Sequence, residues 1–169
     1  QPLHAFDAEK LRGSVKVRVA EKGEKITTLD GKVRNLNEED LLIADDAGAV
    51  AIAGVMGGQN SEVTSSTTIV LLEAAVFDPI HIRQTASRLN LQSEASKRFQ
   101  HGLTKTNLLQ ALSAAIKMYQ NLGGKLTTLT LVGDLEDKPK TITLNQKKLN
   151  SLIGIDIPAE QVEKSLKSL

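Results

Sequence analysis

The segment Ile26-Thr-Thr-Leu-Asp-Gly-Lys-Val-Arg-Asn-Leu36 is typical of two short β-strands joined by a tight turn. Its apolar residues flank Asp30-Gly31, and glycine accepts the positive φ that a tight hairpin turn requires. On the N-terminal side, Val15-Lys-Val-Arg-Val19 alternates apolar and polar residues as a half-buried strand does. On the C-terminal side, the apolar runs Leu41–Ala44 and Ala49–Ala53 continue the meander. The first half of the chain is therefore predicted to be mostly β-structure.

A longer apolar run from Thr67 to Val76 predicts another strand, and this strand carries Glu73. Helices are expected after it, because Asp78-Pro79 combines an N-cap residue with proline at the first helical position. The remaining predictions before residue 133 are a short helix opened by Ser93 and closed by Gly102, a helix from about Thr106 to Leu122 ended by Gly123-Gly124, and a strand at Leu126–Val132.

The chain is expected to divide at an acidic, proline-bearing linker, residues 134–140. Residues 141–169 then contain a predicted strand at Thr141–Leu144 and two predicted helices, Gln146–Ile153 and Pro158–Leu169. The predicted fold class is α+β, with a twisted, mostly antiparallel β assembly and helices packed on one side. The second part is expected to be a partial C-terminal α/β piece, since its last predicted helix is cut short.

Composition excludes several classes of function. The 169 residues include no cysteine, which excludes a disulfide scaffold, a zinc site built from thiolates and a cysteine nucleophile. The formal net charge is only +1, so any case for nucleic-acid binding must come from local charge. No apolar run approaches the roughly 20 residues of a membrane span, and no signal peptide is evident. The absence of cysteine fits a reducing cytosol.

Two residues are candidates for chemistry on their own pattern. His4, in Pro2-Leu-His-Ala-Phe-Asp7, can transfer a proton or position a water near neutral pH; the alternative is a histidine satisfied by a local hydrogen bond. Glu73 lies inside the apolar run Ile69–Val76, where a charge is costly unless it is paired. It indicates either a functional carboxylate or a structural ion pair with a nearby arginine. The three histidines lack metal-ligand spacing, so no metal site is expected.

Gly57-Gly58 and a basic stretch are weaker candidates. Paired glycines after an apolar strand let a substrate approach the backbone and leave N–H groups free to hold a carbonyl; a plain turn is the alternative. Residues 81–107 carry a local excess of positive charge that could hold phosphates, or that could be a solvated helix face. The candidate phosphate contacts in this stretch are Arg83, Arg88, Lys97 and Arg98.

The order of several blocks is more specific than any block alone. Pro2–Asp7 is followed by Thr28-Leu-Asp-Gly31, Ala53-Gly-Val-Met-Gly-Gly58, Leu72-Glu73 and Glu94-Ala-Ser96 with Arg98-Phe99. In this order and spacing they resemble the editing module of the beta subunit of bacterial phenylalanyl-tRNA synthetase, over about residues 1–132. From Lys140 onward, the pattern resembles the start of the next beta-subunit domain.

The resemblance implies a function and a set of site residues. It implies post-transfer editing, the hydrolysis of tyrosine wrongly attached to tRNA(Phe). Glu73 would recognise the tyrosine hydroxyl by accepting its hydrogen bond, and His4 would lie near the ester and its attacking water. The resemblance also places Gly57, Gly58, Ser93 and Ala95 at the substrate pocket, with Ser93 where the family commonly has threonine. It further implies that residues 1–133 are an editing domain lacking its N-terminal part.

The resemblance also implies partners. These are tRNA(Phe) charged with tyrosine and an alpha subunit in a cytoplasmic heterotetramer of two alpha and two beta subunits. The candidate phosphate contacts Arg83, Arg88, Lys97 and Arg98 would then be tRNA contacts. No cofactor is expected in this chain, because ATP and Mg²⁺ would serve the synthetic site of the whole enzyme. The chain is expected to be a fragment that is poorly active alone. Two alternatives are a non-catalytic tRNA-docking or structural module and a free-standing trans-editing protein.

Overall fold

The computed structural model describes residues 1–134 and 141–168. The chain forms two compact units, Gln1–Asp137 and Lys138–Leu169. The predicted linker at 134–140 lies outside the described residues except for Asp134, so its structure stays a prediction.

Unit 1 contains three antiparallel sheets, as the predicted α+β class requires. A four-stranded sheet has the order β2-β5-β6-β7, and two two-stranded sheets pair β1 with β8 and β3 with β4. The strands are β1 Leu3–Asp7, β2 Lys16–Val19, β3 Lys25–Thr27, β4 Val33–Asn35, β5 Leu41–Asp45, β6 Gly48–Ile52, β7 Met56–Gly57 and β8 Val70–Ala74.

The predicted hairpin around Asp30-Gly31 is confirmed, although its loop is longer than a tight two-residue turn. β3 and β4 pair antiparallel, with Ile26 opposite Arg34. Gly31 has a φ of +75°, and its N–H donates to the Thr28 carbonyl at 2.8 Å. The Asp30 carboxylate closes the loop by accepting from the Thr28 hydroxyl at 2.6 Å. Positive φ is the reason that glycine suits this position.

The hairpin of β5 and β6 forms the centre of the core. Leu42 lies opposite Ile52 in the register, and both side chains are fully buried. Complete burial of one such aliphatic side chain contributes about 1.5–3 kcal/mol to stability. The buried Asp45 carboxylate holds the connecting turn by accepting from the backbone N–H groups of Ala47 and Gly48.

Three helices follow the strands, and their starting points were predictable from capping residues. They are α1 Pro79–Arg88, α2 Glu94–Phe99 and α3 Lys105–Asn121. The Asp78 carboxylate accepts from the N–H groups of Ile80 and His81, which satisfies two donors that the helix itself leaves unpaired. Ser93 caps α2 in the same way, since its hydroxyl accepts from the N–H of Ser96 at 3.0 Å.

Two predicted strands are wrong. Residues 126–132 and 141–144 form no strand in the structure. Their apolar side chains are exposed, with Val132 at 87% and Ile142 at 79% of full exposure. An alternating pattern becomes a strand only when a neighbouring strand pairs with it, and no described strand pairs with either segment.

Unit 2, in its described residues, is helical. α4 spans Gln146–Ile153, as predicted, and α5 spans Ala159–Lys167 within the predicted range. Asn145 caps α4, and Gly154 ends it in the left-handed conformation with a φ of +84°. The expected α/β character of this piece depended on the strand at 141–144, which is not formed.

Candidate functional site

A cavity of about 60 Å³ opens between the β1–β8 ladder, the turn before β7 and helix α2. On the scale of buried waters this is room for about four molecules. Residues 51–57 form much of the wall, and four predicted site residues line the cavity: His4, Gly57, Glu73 and Ala95. Because most of the wall is backbone or aliphatic, the cavity is apolar with two polar side chains facing it.

His4 and Glu73 are directly opposed across the two strands. β1 and β8 run antiparallel, and the Cα of His4 is in register with the Cα of Glu73. Side chains of directly opposed residues in an antiparallel pair project from the same face with their Cβ atoms about 4.5–5.5 Å apart. The sheet therefore brings an imidazole and a carboxylate together at one cavity.

The Glu73 carboxylate lies in an environment that disfavours its charge. Burial raises the pKa of Glu73 from 4.5 to about 7. Within residues 1–134 and 141–168, its side chain makes no hydrogen bond or ion pair that would offset the lost hydration. The structure therefore does not support the alternative of a structural ion pair with an arginine. A desolvated, unpaired carboxylate that faces a cavity is a candidate for hydrogen bonding to a bound ligand.

The surroundings of His4 favour the neutral form of its imidazole. Burial lowers the pKa of the His4 imidazole below its ordinary value of 6.5, because the charged ring would lose its hydration. The ring makes an edge-to-face contact with Phe6, with ring centroids 4.5 Å apart and an interplanar angle of 70°. A neutral imidazole has one nitrogen that accepts and one that donates a hydrogen bond, which suits it to orient a water or an ester.

Gly57 and Gly58 have different surroundings. A Cβ on Gly57 would lie 2.4 Å from His4 Cε1 and 2.6 Å from His4 Nε2, so only glycine lets the imidazole lie this close. Gly58 does not line the cavity. Its N–H donates to the Val50 carbonyl at 2.8 Å, so this donor is not free to hold a substrate carbonyl.

Helix α2 closes one side of the cavity. Ala95 and Phe99, one turn apart on the helix, both line the cavity. Ser93 does not line it. The Ser93 hydroxyl instead donates to the Val55 carbonyl at 2.6 Å while it caps the helix. This hydroxyl therefore ties α2 to the cavity wall, which fixes the position of Ala95.

The four predicted tRNA contacts differ in whether their side chains already pair with other groups of the chain. Arg88 pairs with the buried Asp40 carboxylate and donates to the Asn35 carbonyl. Lys97 pairs with Glu94 at 2.8 Å across an exposed turn of α2. Arg83 and Arg98 are exposed and, in the part of the chain that the structure describes, belong to no salt bridge. These two arginines are thus the more available cations of the set.

Neither a metal-binding cluster nor a membrane-spanning helix is present among residues 1–134 and 141–168. Among these, no group of three or more histidine, cysteine, aspartate or glutamate side chains is placed to hold a metal ion. No helix in the described ranges combines the length and the apolar character that crossing a bilayer requires; the longest, α3, has 17 residues.

The aromatic residues around the cavity were not singled out by their sequence pattern. All three phenylalanines of the chain are buried: Phe6, Phe77 and Phe99. Phe6 contacts His4, and Phe77 contacts the cavity residue Phe99 edge-to-face at 5.1 Å between ring centroids. The available signal was position, because two of the three phenylalanines, Phe6 and Phe99, lie inside the motif blocks.

Comparison with known proteins agrees with the motif order. Residues 1–124 match the family model of the B3/4 domain. The whole chain is 42% identical to a phenylalanine--tRNA ligase beta subunit of Latilactobacillus sakei and 43% identical to one of Carboxydothermus hydrogenoformans, covering 22% of each. A beta subunit of Aliivibrio fischeri is 42% identical, with the same coverage. The chain thus spans about a fifth of the length of these relatives.

The matched region contains every element of the cavity, from β1 through α2, and the expected motif blocks lie inside it. The resemblance noted from the order of these blocks is therefore confirmed. The chain belongs to the B3/4 domain family and, along its whole length, is similar to the beta subunits of phenylalanine--tRNA ligase.

Proposed function

We propose that this chain carries the editing site of a phenylalanine--tRNA ligase beta subunit and hydrolyses the ester of tyrosine wrongly attached to tRNA(Phe). The observation that carries the proposal is the unpaired Glu73 carboxylate, which faces an apolar cavity directly opposite His4. The relatives support the ligase family by name. The activity and partners of the whole ligase belong to the proposal, since the chain spans a fifth of those relatives.

The need for a second site follows from selectivity. An apolar pocket shaped for phenylalanine cannot strongly reject a ring that only adds a hydroxyl, and such discrimination is limited to about a hundredfold. A site that requires the hydroxyl supplies the rest. The Glu73 carboxylate meets this requirement, because it accepts a hydrogen bond from the phenol of tyrosine and stays unpaired when a phenylalanine ring enters.

His4 acts at the other end of the substrate. In the proposed reaction a water adds to the ester carbonyl, the bond to the ribose oxygen breaks, and that oxygen takes a proton as it leaves. An aminoacyl ester is already activated, so modest assistance suffices. We assign His4 the role of positioning the ester and the attacking water, which its neutral imidazole at the cavity wall can do through one donor and one acceptor.

The proposed setting is a cytoplasmic heterotetramer of two alpha and two beta subunits. In it the chain would receive the charged acceptor end of tRNA(Phe), with Arg83 and Arg98 as the freest phosphate contacts. We assign no cofactor to this chain. ATP and Mg²⁺ serve the synthetic reaction, which we place in the alpha subunit.

A deacylation assay tests the proposal. Preformed tyrosyl-tRNA(Phe) and phenylalanyl-tRNA(Phe) are incubated with the assembled ligase, carrying in its beta subunit either Glu73 or Glu73→Ala. Loss of one hydrogen bond to a charged acceptor is worth about 1.5–3 kcal/mol, so the preference for the tyrosyl ester should fall about 10- to 150-fold. Glu38→Ala, at an exposed carboxylate outside the cavity, is the matched control. Unchanged discrimination in Glu73→Ala would remove the proposed role.

The same assay separates the alternatives. We expect the 169-residue chain alone to bind tRNA weakly, to lose binding steeply as salt rises, and to deacylate far more slowly than the assembled ligase. Turnover by the chain alone that equals the assembled ligase at physiological salt would instead favour a free-standing trans-editing protein. No deacylation by either would favour a non-catalytic tRNA-docking module.

A further inference from the structure

We propose that Phe6 is a positioning residue for His4, and that Phe6 and the side-chain-free backbone of Gly57 together clamp the imidazole over the cavity. The proposal rests on the proposed editing function, whose ester-positioning residue is His4. It extends that function to a residue that lies outside the cavity lining.

Strand geometry places the two rings together. His4 and Phe6 are two residues apart on β1, so their side chains project from the same face of the strand. The ring centroids are 4.5 Å apart and the planes are inclined by 70°, an edge-to-face arrangement that aromatic rings favour. Phe6 is fully buried and lies opposite Leu71 in the register, so its own ring is held by the core.

Gly57, on β7, forms the second part of the clamp. A Cβ at this position would lie 2.4 Å from Cε1 and 2.6 Å from Nε2 of His4, and 3.1 Å from the Leu29 side chain. The imidazole therefore lies against bare backbone. In the part of the chain that the structure describes, no hydrogen bond orients the ring, so these contacts alone set its direction.

The clamp has a chemical consequence. It holds the ring in one direction and removes water from it, which accords with the lowered pKa of His4. Glu73 is the other titratable side chain that lines the cavity within the described residues. A loosened imidazole would lose both its direction toward the ester and its dry surroundings, and a misplacement of about 1 Å in a site of this kind can cost up to about a hundredfold in rate.

The experiment uses Phe6→Leu, which keeps the position apolar but removes the ring. In the 169-residue chain, the titration of the His4 imidazole is followed by nitrogen-proton NMR; in the assembled ligase, deacylation of tyrosyl-tRNA(Phe) gives kcat and KM. We expect the His4 titration to move up toward its ordinary range and kcat to fall about tenfold, with KM changed less than about twofold. Leu36→Ala, a comparable core truncation away from the cavity, should do neither.

A folded Phe6→Leu variant with the parent's His4 titration and kcat would overturn the proposal. If Phe6→Leu does not fold, Gly57→Ala tests the clamp from its other side, because the new Cβ must displace the imidazole. An unchanged His4 titration in that variant also overturns it. If the parent ligase does not deacylate tyrosyl-tRNA(Phe), the proposed function fails, while the NMR titrations still decide whether Phe6 positions His4.

Discussion

His4 and Glu73 are antiparallel partners in the register of β1 and β8, and both face the same apolar cavity. Burial shifts their pKa values in opposite directions, down for His4 and up for Glu73, so that both neutral forms are favoured. Burial thus disfavours the charged form of both titratable side chains that line this cavity, although with a pKa of about 7 Glu73 is still partly ionised near neutral pH. Four predictions follow from this arrangement and from the elements that support it.

The pH dependence of stability should reveal the burial of Glu73. The pKa of Glu73 in the folded chain, about 7, exceeds its ordinary value of 4.5, so the fold favours the protonated carboxyl. The stability that this protonated carboxyl contributes is fully present below about pH 4.5 and is lost as pH rises through about 7. Glu73→Gln avoids that loss. It should raise the free energy of unfolding by about 3 kcal/mol at about pH 8 and by little at about pH 4, measured by urea denaturation. Glu38→Gln is the exposed control, and an equal gain for Glu73→Gln at both pH values would contradict the account.

The size of the cavity depends on Ala95. A tryptophan at this position on α2 would fill the space between the helix and the Glu73 side chain. Ala95→Trp in the assembled ligase should therefore abolish deacylation of tyrosyl-tRNA(Phe) while aminoacylation with phenylalanine continues. Ala114→Trp, on the exposed side of α3, is the matched control for a bulky residue on a helix. Clearance of mischarged tRNA at the parent rate by Ala95→Trp would show that this residue does not border the substrate.

Ser93 should matter through helix α2 rather than by contact with the substrate. Ser93→Ala removes the cap on Ser96 and leaves the Val55 carbonyl without this donor. The free energy of unfolding should fall by about 1–2 kcal/mol. Ser93→Thr keeps the hydroxyl and should recover most of it. Ser87→Ala, at an exposed position in α1, provides the baseline, and thermal unfolding of the three variants measures the effect. A Ser93→Ala variant as stable as Ser87→Ala would contradict a stabilising role for the hydrogen bonds of the Ser93 hydroxyl.

The basic residues should separate into two groups in tRNA binding. Arg83→Gln and Arg98→Gln should each reduce the slope of log affinity against log salt by about 1, since each releases one phosphate contact. Arg88→Gln should instead lower stability by about 2 kcal/mol, because it leaves the buried Asp40 carboxylate without its cation. Filter binding over a range of salt and denaturant unfolding measure the two effects. A larger change in salt slope for Arg88→Gln than for Arg83→Gln would reverse the assignment.

Capping residues and glycines in the sequence were enough to predict where several helices and turns begin. Asp78-Pro79 and Ser93 start their helices because a capping side chain bonds N–H groups two or three residues away. Gly31 marks the β3–β4 connection because its φ is positive. The order of the motif blocks also indicated the family, and the resemblance implied that Glu73 and His4 belong to one substrate pocket. None of these inferences requires knowledge of distant contacts.

The tertiary structure decided whatever depends on distant neighbours. Residues 126–132 alternate like a strand but form none, because a strand needs hydrogen-bonding partners that local pattern does not supply. The Gly58 N–H is occupied by Val50, and Arg88 is held by Asp40, through contacts between separate elements. The sequence alone showed Glu73 as a carboxylate within an otherwise apolar run. That it faces a cavity unpaired, opposite His4, follows only from the register of two strands that are far apart in the chain.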